Sequence, residues 1–305
     1  MSNVVIIGGG AAGMAAAAGA AEAGHRVSIY EKNEKLGKKI YITGKGRCNV
    51  TNGCAVEDFF SHVVTNGKFL YSAVYGFTNT DLMALLEESG CPLKVERGER
   101  VFPVSDKSSD IIAAWNRRLK KDGVEIHLNE PVSEILTEDG RAVGILLEKG
   151  RRRVLADAVI LATGGLSYPS TGSTGDGYRF AKETGHTVTE LSPALVPFTC
   201  KEEDVKAMQG LSLRNIEATV RDGKKVIWKE FGEMLFTHFG VSGPVVLSAS
   251  SYAAGKIKKA PLLLEIDLKP ALSREQLDAR ILRDFSEAKN KQFKNALNHL
   301  YPSKM

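Results

Sequence analysis

The sequence predicts an α/β protein, and three patterns in the first 31 residues carry that prediction. An apolar run at 4–7 has the composition of a buried strand, small residues fill a helix at 11–23, and a second apolar run follows at 26–31. Gly24 marks the end of the helix, because glycine is the usual residue just beyond a helix C-terminus. Strand, helix and strand in this order begin a parallel sheet, since parallel neighbours need a crossover between them.

Three regions of different pattern follow one another along the chain. Residues 1–191 combine helices with strands, 192–270 show mostly alternating segments typical of β-strands, and 271–305 begin a helical stretch. Ser273 with Gln276 three residues later predicts the start of its helix, which we expect to run through 285. We therefore expect an α/β fold with an inserted, mostly β domain and the start of a small helical unit.

Shorter elements are expected inside the first two regions. In chain order they are helices at 81–89 and 108–121, strands at 124–128, 132–138, 142–148, 153–156, 158–162, 217–220, 225–230 and 262–268, and turns at 138–140 and 221–223.

The composition is that of an ordinary globular protein able to bury a sizeable core. The 305 residues are 43% hydrophobic and 25% charged, and the net charge of +5 comes from basic residues scattered along the chain. A nucleic acid partner is not expected from this pattern. The four cysteines form no CxxC pair and no metal-ligand spacing, so we expect reduced thiols and no metal. Neither an export signal nor a membrane-length apolar run is found, which predicts a cytoplasmic protein without a membrane partner.

A glycine-rich turn stands between the first predicted strand and the helix. Gly8, Gly10 and Gly13 fit the pattern G-x-G-x-x-G in the structural context that the pattern requires. Gly8 permits a tight turn, Gly10 lets a pyrophosphate approach the backbone, and Gly13 lets the helix lie close to the strand. Glu31 ends the second strand, where a carboxylate accepts hydrogen bonds from the ribose hydroxyls of an adenosine. The sequence therefore predicts a Rossmann-like dinucleotide site.

The glycine pattern alone does not distinguish FAD from NAD. A second signal comes from the apolar strand at 158–162, which ends in Thr163-Gly164 after a series of short strands. This resembles flavoproteins of the glutathione-reductase type, in which such a strand returns beside the first one near the flavin. The resemblance favours FAD, so the first region is predicted to be the FAD-binding domain.

Four further segments extend the resemblance along the whole chain. They are GKGRCNVTN at 44–52, ERVFPVS at 99–105, STGSTGDG at 170–177 and THFGVSGP at 237–244. With the glycine-rich start, they resemble the bacterial NAD(P)/FAD-dependent oxidoreductase family that includes aminoacetone-oxidase-like and bile-acid-reductase-like flavoproteins. The resemblance implies a discontinuous FAD domain with an inserted β unit and a small helical unit.

The resemblance also implies which residues hold the cofactor. Pyrophosphate is expected at the glycine turn, adenosine at Glu31, Lys32 and the backbone of Val132, and the remainder of FAD beyond them. The complete expected set is Gly8, Gly10, Ala11, Ala12, Gly13, Glu31, Lys32, Lys38, Arg47, Asn49, Val132, Thr163 and Gly164. Members of the family continue past the helical unit with a glycine-rich return segment that covers the flavin. Since nothing similar follows position 268, we expect the sequence to be truncated within the helical region or to be a natural fragment.

Several polar side chains allow both a functional and a structural interpretation. Cys48, close to Arg47, is interpreted as a packing thiol, since it has no partner for a dithiol relay. His238 is a substrate contact or a satisfied structural histidine, and the structural alternative is favoured. The hydroxyls of Thr171 and Thr174 either position a substrate or cap turns, with equal weight.

The leading functional hypothesis is an FAD-dependent oxidoreductase that moves a hydride between flavin and a small organic substrate or NAD(P)H. Flavin carries out this step itself, so the sequence need not contain an acid–base motif, and no side chain is singled out as catalytic. No second glycine fingerprint is found, so NAD(P)H is expected only as a transient electron donor. The alternatives are a non-catalytic dinucleotide-binding fragment and a flavin-dependent tRNA-modifying protein.

Overall fold

The parallel sheet predicted from the first residues is present in the computed structural model. The structure describes residues 1–290, 292–297, 300–302 and 304–305, which divide into two units, Met1–Thr189 and Glu190–Met305. The division into three regions stays a prediction, and positions 291, 298–299 and 303 of its last region lie outside the described residues.

The first unit mixes helices and strands. Its strands are β1 (Asn3–Ile7), β2 (Arg26–Glu31), β3 (Thr51–Asn52), β4 (Leu93–Glu96), β5 (Arg100–Pro103), β6 (Glu125–Leu128), β7 (Val132–Glu138), β8 (Arg141–Leu147), β9 (Arg153–Leu155) and β10 (Ala158–Leu161). Its helices are α1 (Ala11–Glu22), α2 (Val56–Ser61), α3 (Tyr71–Gly76), α4 (Asn79–Glu88), α5 (Ser108–Lys121) and α6 (Asp176–Glu183). The predicted elements of this region are confirmed, with bounds that shift by at most two residues.

The main sheet has the order β10-β1-β2-β6, and every pair in it is parallel. Alternate residues of a strand face opposite sides, so β1 contributes to two cores. Ile6 faces the side of the sheet that packs against α1 and α5, where it joins Ile29 and Leu119 in one apolar cluster. Val5 and Ile7 face the other side. The sheet is therefore covered on both faces, as its nearly continuous apolar strands require.

The second face is covered by the antiparallel sheet β7-β8-β9 and by Phe180 of α6. The predicted hairpin at 138–140 is confirmed, because Glu138 pairs with Arg141 across it. Ile145 and Leu147 of β8 pack against Val5 and Ile7 in this cluster. Burial of each such side chain contributes roughly 1.5–3 kcal/mol, which holds the end of β10 in place beside β1.

The second unit is built on an antiparallel sheet with the order β11-β14-β13-β12-β15. Its strands are β11 (Phe198–Thr199), β12 (Ser212–Asp222), β13 (Lys225–Thr237), β14 (Gly240–Ser242) and β15 (Leu263–Asp267), and its helices are α7 (Glu203–Ala207), α8 (Pro244–Ile257), α9 (Arg274–Glu287) and α10 (Phe293–Ala296). His238, between β13 and β14, stacks edge-on against Phe239 with ring centroids 4.8 Å apart. The structural interpretation that the sequence favours for it stays a prediction.

In the second unit, the predicted capping box at Ser273 is confirmed, whereas one helix was not predicted. The capping box is confirmed, since the Ser273 hydroxyl accepts from the Gln276 N–H at 3.2 Å and the Gln276 side chain accepts from the Ser273 N–H at 2.9 Å. The mostly β interpretation missed α8, a helix of 14 residues that packs on β13 and buries Val245 and Val246. Pro244 at the start of α8 was the available signal, because proline is favoured in the first helical turn.

Among the described residues, no helix has both the length and the apolar character needed to cross a membrane. The same residues contain no group of three or more His, Cys, Asp or Glu side chains arranged to hold a metal ion.

Candidate dinucleotide site

A cavity opens in the first unit where β1, β2 and β10 end. The chain leaves β1 for β2 on one side, whereas β10 lies on the other side, and this divergence of connections creates a crevice at the carboxyl ends of parallel strands. The cavity has a volume of about 1240 Å³. Small-molecule sites usually measure roughly 300–1,000 Å³, so this one has room for an extended dinucleotide.

The glycines of the turn have the three roles that the sequence predicted for them. Gly8 has a φ of +105°, and a Cβ added to it would lie 2.6 Å from the carbonyl oxygen of Ala162. A Cβ on Gly13 would lie 1.9 Å from the carbonyl oxygen of Gly8, so α1 can pack this closely only without a side chain there. Gly10 has no atom within 4 Å of an added Cβ and faces open space. No side chain caps the first turn of α1 among the described residues, so its N–H groups are free to meet an anion.

Glu31 connects the glycine turn to the end of β2. Its carboxylate is only 7% exposed and accepts a hydrogen bond from the Gly9 N–H at 2.7 Å. The other oxygen accepts from the backbone N–H of Asn33 at 2.8 Å and from its side-chain amide at 2.6 Å. A carboxylate offers about four lone-pair positions, so at least one acceptor position is left for a hydroxyl in the cavity. The carboxylate therefore both fixes the turn and lines the site.

Eleven of the thirteen predicted cofactor residues line this cavity. They are Gly8, Gly10, Ala11, Ala12, Glu31, Lys32, Lys38, Asn49, Val132, Thr163 and Gly164. Gly13 lies behind the lining, where it sets the distance between α1 and β1. The structure thus brings most of the predicted set together, and their contact with a cofactor stays a prediction.

Arg47 is the other predicted residue that does not line the cavity. Its guanidinium pairs with Glu96 and, at 2.8 Å, with Asp106, and it lies 4.0 Å from the centroid of the Phe102 ring. Lys94 bridges the same two carboxylates. Hydrogen bonds from Arg47 hold the pKa of Glu96 below its usual value. Arg47 therefore serves a network of charges beside β4 and β5, and nothing in this geometry directs it toward the cavity.

Lys32 and Lys38 each have a carboxylate partner. Lys32 contacts Asp176 at 2.7 Å and the Thr174 hydroxyl at 2.6 Å. Partial burial opposes ionisation of Asp176, but the hydrogen bonds from Lys32 and Thr174 outweigh it and hold the pKa of this carboxyl below its usual value. Lys38 lies 3.2 Å from Glu34. Thr174 thus belongs to an ion-pair network, while the Thr171 hydroxyl donates to the Tyr168 carbonyl at 2.7 Å, which favours turn capping for that residue.

Sequence reasoning missed part of the cavity lining. One missed group is polar and consists of Asn33, Lys39, Ser173 and Asp176. The other is apolar and consists of Phe77, Leu82, Leu86, Ile111 and Trp115, most of which belong to α4 and α5. The amphipathic pattern identified both helices but could not show that their apolar faces continue from the core into a cavity. The lining therefore has a polar end at the strand termini and an apolar end between helices.

Cys48 is buried and lines the cavity. Burial raises the pKa of its thiol, although a hydrogen bond with Thr43 acts in the opposite direction. The thiolate fraction at neutral pH is therefore small, in agreement with the interpretation as a packing thiol.

We expect iodoacetamide at pH 8 to alkylate Cys54, which is partly exposed, at least about tenfold faster than Cys48, because burial both limits access to Cys48 and raises the pKa of its thiol. Peptide mass spectrometry at short labelling times measures the two rates. Modification of Cys48 before Cys54 would contradict the assignment of a buried, protonated thiol.

Comparison with known proteins agrees with the fold. The family model described as HI0933-like protein Rossmann domain matches residues 2–256. The chain is 32% identical to a protein of Haemophilus influenzae named ribosomal RNA dihydrouridine synthase, over 100% of this chain and 73% of that protein. A protein of Escherichia coli with the same name is 32% identical over 90% of this chain and 67% of its own length.

A third relative is the 3-dehydro-bile acid delta(4,6)-reductase of Clostridium scindens, which is 30% identical over 91% of this chain and 67% of its own length. The family resemblance stated from the sequence is confirmed. With the glycine turn, the parallel sheet and the family match all in the same 255-residue span, the chain belongs to the HI0933-like Rossmann family.

Proposed function

We propose that this protein is an FAD-dependent oxidoreductase, which uses the cavity at the ends of β1, β2 and β10 to hold the dinucleotide. The observation that carries the proposal is the buried Glu31 carboxylate, which is fixed beside the uncapped first turn of α1 and faces the same cavity. One group is suited to a ribose and the other to a pyrophosphate.

The residues present fit an adenine dinucleotide. Side chains at positions 8 and 13 would meet backbone, whereas the space around Gly10 is open to a ligand. Glu31 would hold the ribose, the α1 amides the pyrophosphate, and Val132 would lie beside the adenine. When bound, FAD supplies hydride transfer at its flavin N5. The apolar side chains of α4 and α5 that line part of the cavity would limit the access of water to a ligand beside them.

The names of the relatives favour one direction of reaction. A dihydrouridine synthase adds two hydrogens to the C5–C6 double bond of uracil, and a delta(4,6)-reductase removes carbon–carbon double bonds from a dienone. The double bond of uracil and those of the dienone are all conjugated with a carbonyl. We therefore propose that this protein also delivers hydride to a carbon–carbon double bond of that kind, with NAD(P)H as the transient electron source.

The purified protein, reconstituted with FAD, is expected to show a flavin absorption band that NADH or NADPH bleaches under anaerobic conditions. A conjugated enone added afterwards should restore the band, and stopped-flow absorbance follows both steps. A colourless protein that gains no flavin would instead support the non-catalytic binding module. A flavin band that neither nicotinamide bleaches would remove NAD(P)H from the reaction.

A second candidate is reduction of uridine in ribosomal RNA. The 32% identity to the ribosomal RNA dihydrouridine synthase extends over the whole of this chain. If the substrate is an RNA, this favours ribosomal RNA over the transfer RNA considered from the sequence. The expectation of no nucleic acid partner stays a prediction. Incubation of the reduced protein with a ribosomal RNA transcript, followed by nucleoside mass spectrometry, should reveal a uridine heavier by two hydrogens if RNA is the substrate.

A further inference from the structure

The three lysines that line the cavity differ in how their charges are compensated. Lys32 has Asp176 and Lys38 has Glu34 as ion-pair partners. The Lys39 ammonium group donates to two neutral hydroxyls, to Ser173 Oγ at 2.7 Å and to Ser167 Oγ at 3.0 Å. Within the part of the chain that the structure describes, no carboxylate forms an ion pair with Lys39. Its positive charge is therefore available to a ligand in the cavity.

Two contacts place the Lys39 segment and the loop that holds its ammonium against the glycine turn before α1. On one side, the Gly37 N–H donates to the Gly9 carbonyl at 2.8 Å, which fixes the start of this lysine segment against the glycine turn. On the other side, Ser173 Oγ lies 2.7 Å from the position of a Cβ on Gly164, and the Thr163 Cα lies 3.1 Å from the position of a Cβ on Gly8. Lys39 thus joins the segment at 37–39 to the loop that carries Ser173, and both lie against residues that contact the glycine turn before α1.

The charge of a pyrophosphate explains why a cation is needed beside the N-terminus of α1. A dinucleotide pyrophosphate carries two negative charges at neutral pH, and the N-terminus of a helix supplies the equivalent of roughly half a positive charge. The amides of α1 can orient the anion but leave most of its charge uncompensated. A lysine without a carboxylate partner, held by hydroxyls that can exchange with a phosphate oxygen, supplies most of the remaining positive charge.

We propose that Lys39 is the residue that neutralises the pyrophosphate of the bound dinucleotide, with Ser173 as the group that positions its ammonium. This inference rests on the proposed function, since it specifies a contact within the same site. It adds a residue to the predicted set and assigns a charge-based role that Lys38, already paired with Glu34, does not fill.

The test compares FAD and riboflavin, which share the isoalloxazine ring, whereas riboflavin lacks the pyrophosphate and the adenosine. We expect Lys39→Met to weaken FAD binding roughly 10- to 100-fold, as for a lost hydrogen bond to a charged group. Riboflavin affinity should stay within about threefold of wild type, and Lys39→Arg should restore most of the FAD affinity. The salt dependence of FAD binding should also decrease in Lys39→Met, because one screened charge pair is gone.

The matched control is Lys35→Met. Lys35 belongs to the same segment, but its ammonium lies 4.5 Å from the centroid of the Tyr41 ring and it does not line the cavity. Flavin fluorescence titrations of all variants should show wild-type affinity for this control. Ser173→Ala removes a contact of Lys39 but keeps its charge, so it should cost less FAD affinity than Lys39→Met.

Three results would overturn the inference. They are unchanged FAD affinity in Lys39→Met, an equal loss of FAD and riboflavin affinity, and a Ser173→Ala variant as weak as Lys39→Met, which would indicate a purely structural contact. Failure of the wild-type protein to bind any FAD would instead defeat the proposed function and this inference together.

Discussion

Replacement of Gly13 by alanine is expected to lower the free energy of unfolding by about 3 kcal/mol or more, because overpacking against rigid backbone is among the most costly core changes. The added Cβ would lie 1.9 Å from the Gly8 carbonyl oxygen and 3.0 Å from its carbon. Neither atom belongs to a flexible side chain, so α1 itself must move away from β1. Urea denaturation followed by circular dichroism measures the loss.

Gly19→Ala is the matched control for this change. Gly19 lies in the same helix, is exposed, and has no atom within 4 Å of an added Cβ. Alanine there should stabilise the protein by roughly 0.5–1 kcal/mol, since glycine loses more backbone entropy on entering a helix. Equal stabilities for the two variants would contradict the close packing of α1 on the glycine turn.

Glu31→Ala should have the second largest effect, and it should act on two observables. The affinity for FAD should fall by about 1–3 kcal/mol, as for a lost hydrogen bond to a charged acceptor. The free protein should also become less stable, because the Gly9 N–H and the Asn33 N–H both lose the carboxylate that they donate to. A buried donor left without a partner costs about 1–3 kcal/mol.

FAD titration and urea denaturation of the same preparation separate the two effects. Glu125→Ala is the control, since Glu125 is an exposed carboxylate on the neighbouring strand β6 and does not line the cavity. It should change neither quantity by more than about 0.5 kcal/mol, the usual limit for surface substitutions. Wild-type FAD affinity in Glu31→Ala would remove this carboxylate from the cofactor site, whatever the change in stability.

Local signals predicted the first unit well, because its elements have strong patterns of their own. The helix at 108–121 was predicted with the bounds of α5, since its apolar residues recur at helical spacing. α8 was missed for the opposite reason. Its sequence PVVLSASSYAAGKI mixes β-branched and hydroxyl residues that favour no single helical face, so tertiary packing on β13 decides the conformation.

The candidate site shows the same division between local and distant information. Gly8, Gly13 and Glu31 were predicted because their spacing lies within one strand–helix–strand unit. The pairing of Lys32 with Asp176 joins positions 144 residues apart, and no pattern along the chain indicates it. Arg47 was assigned to the cofactor by resemblance, whereas the carboxylates that engage it come from β4 and the segment after β5.

The pairing of Val4 with Ala158 sets a limit on when the glycine turn can close against the end of β10 during synthesis. Until residues 158–164 have emerged from the ribosome, one edge of β1 has no strand beside it and Gly8 has no wall to close against. The nascent chain must therefore carry an open edge of β1 until these residues have been synthesised, a condition under which chaperones engage. On the proposed function, the cofactor would bind only after that closure.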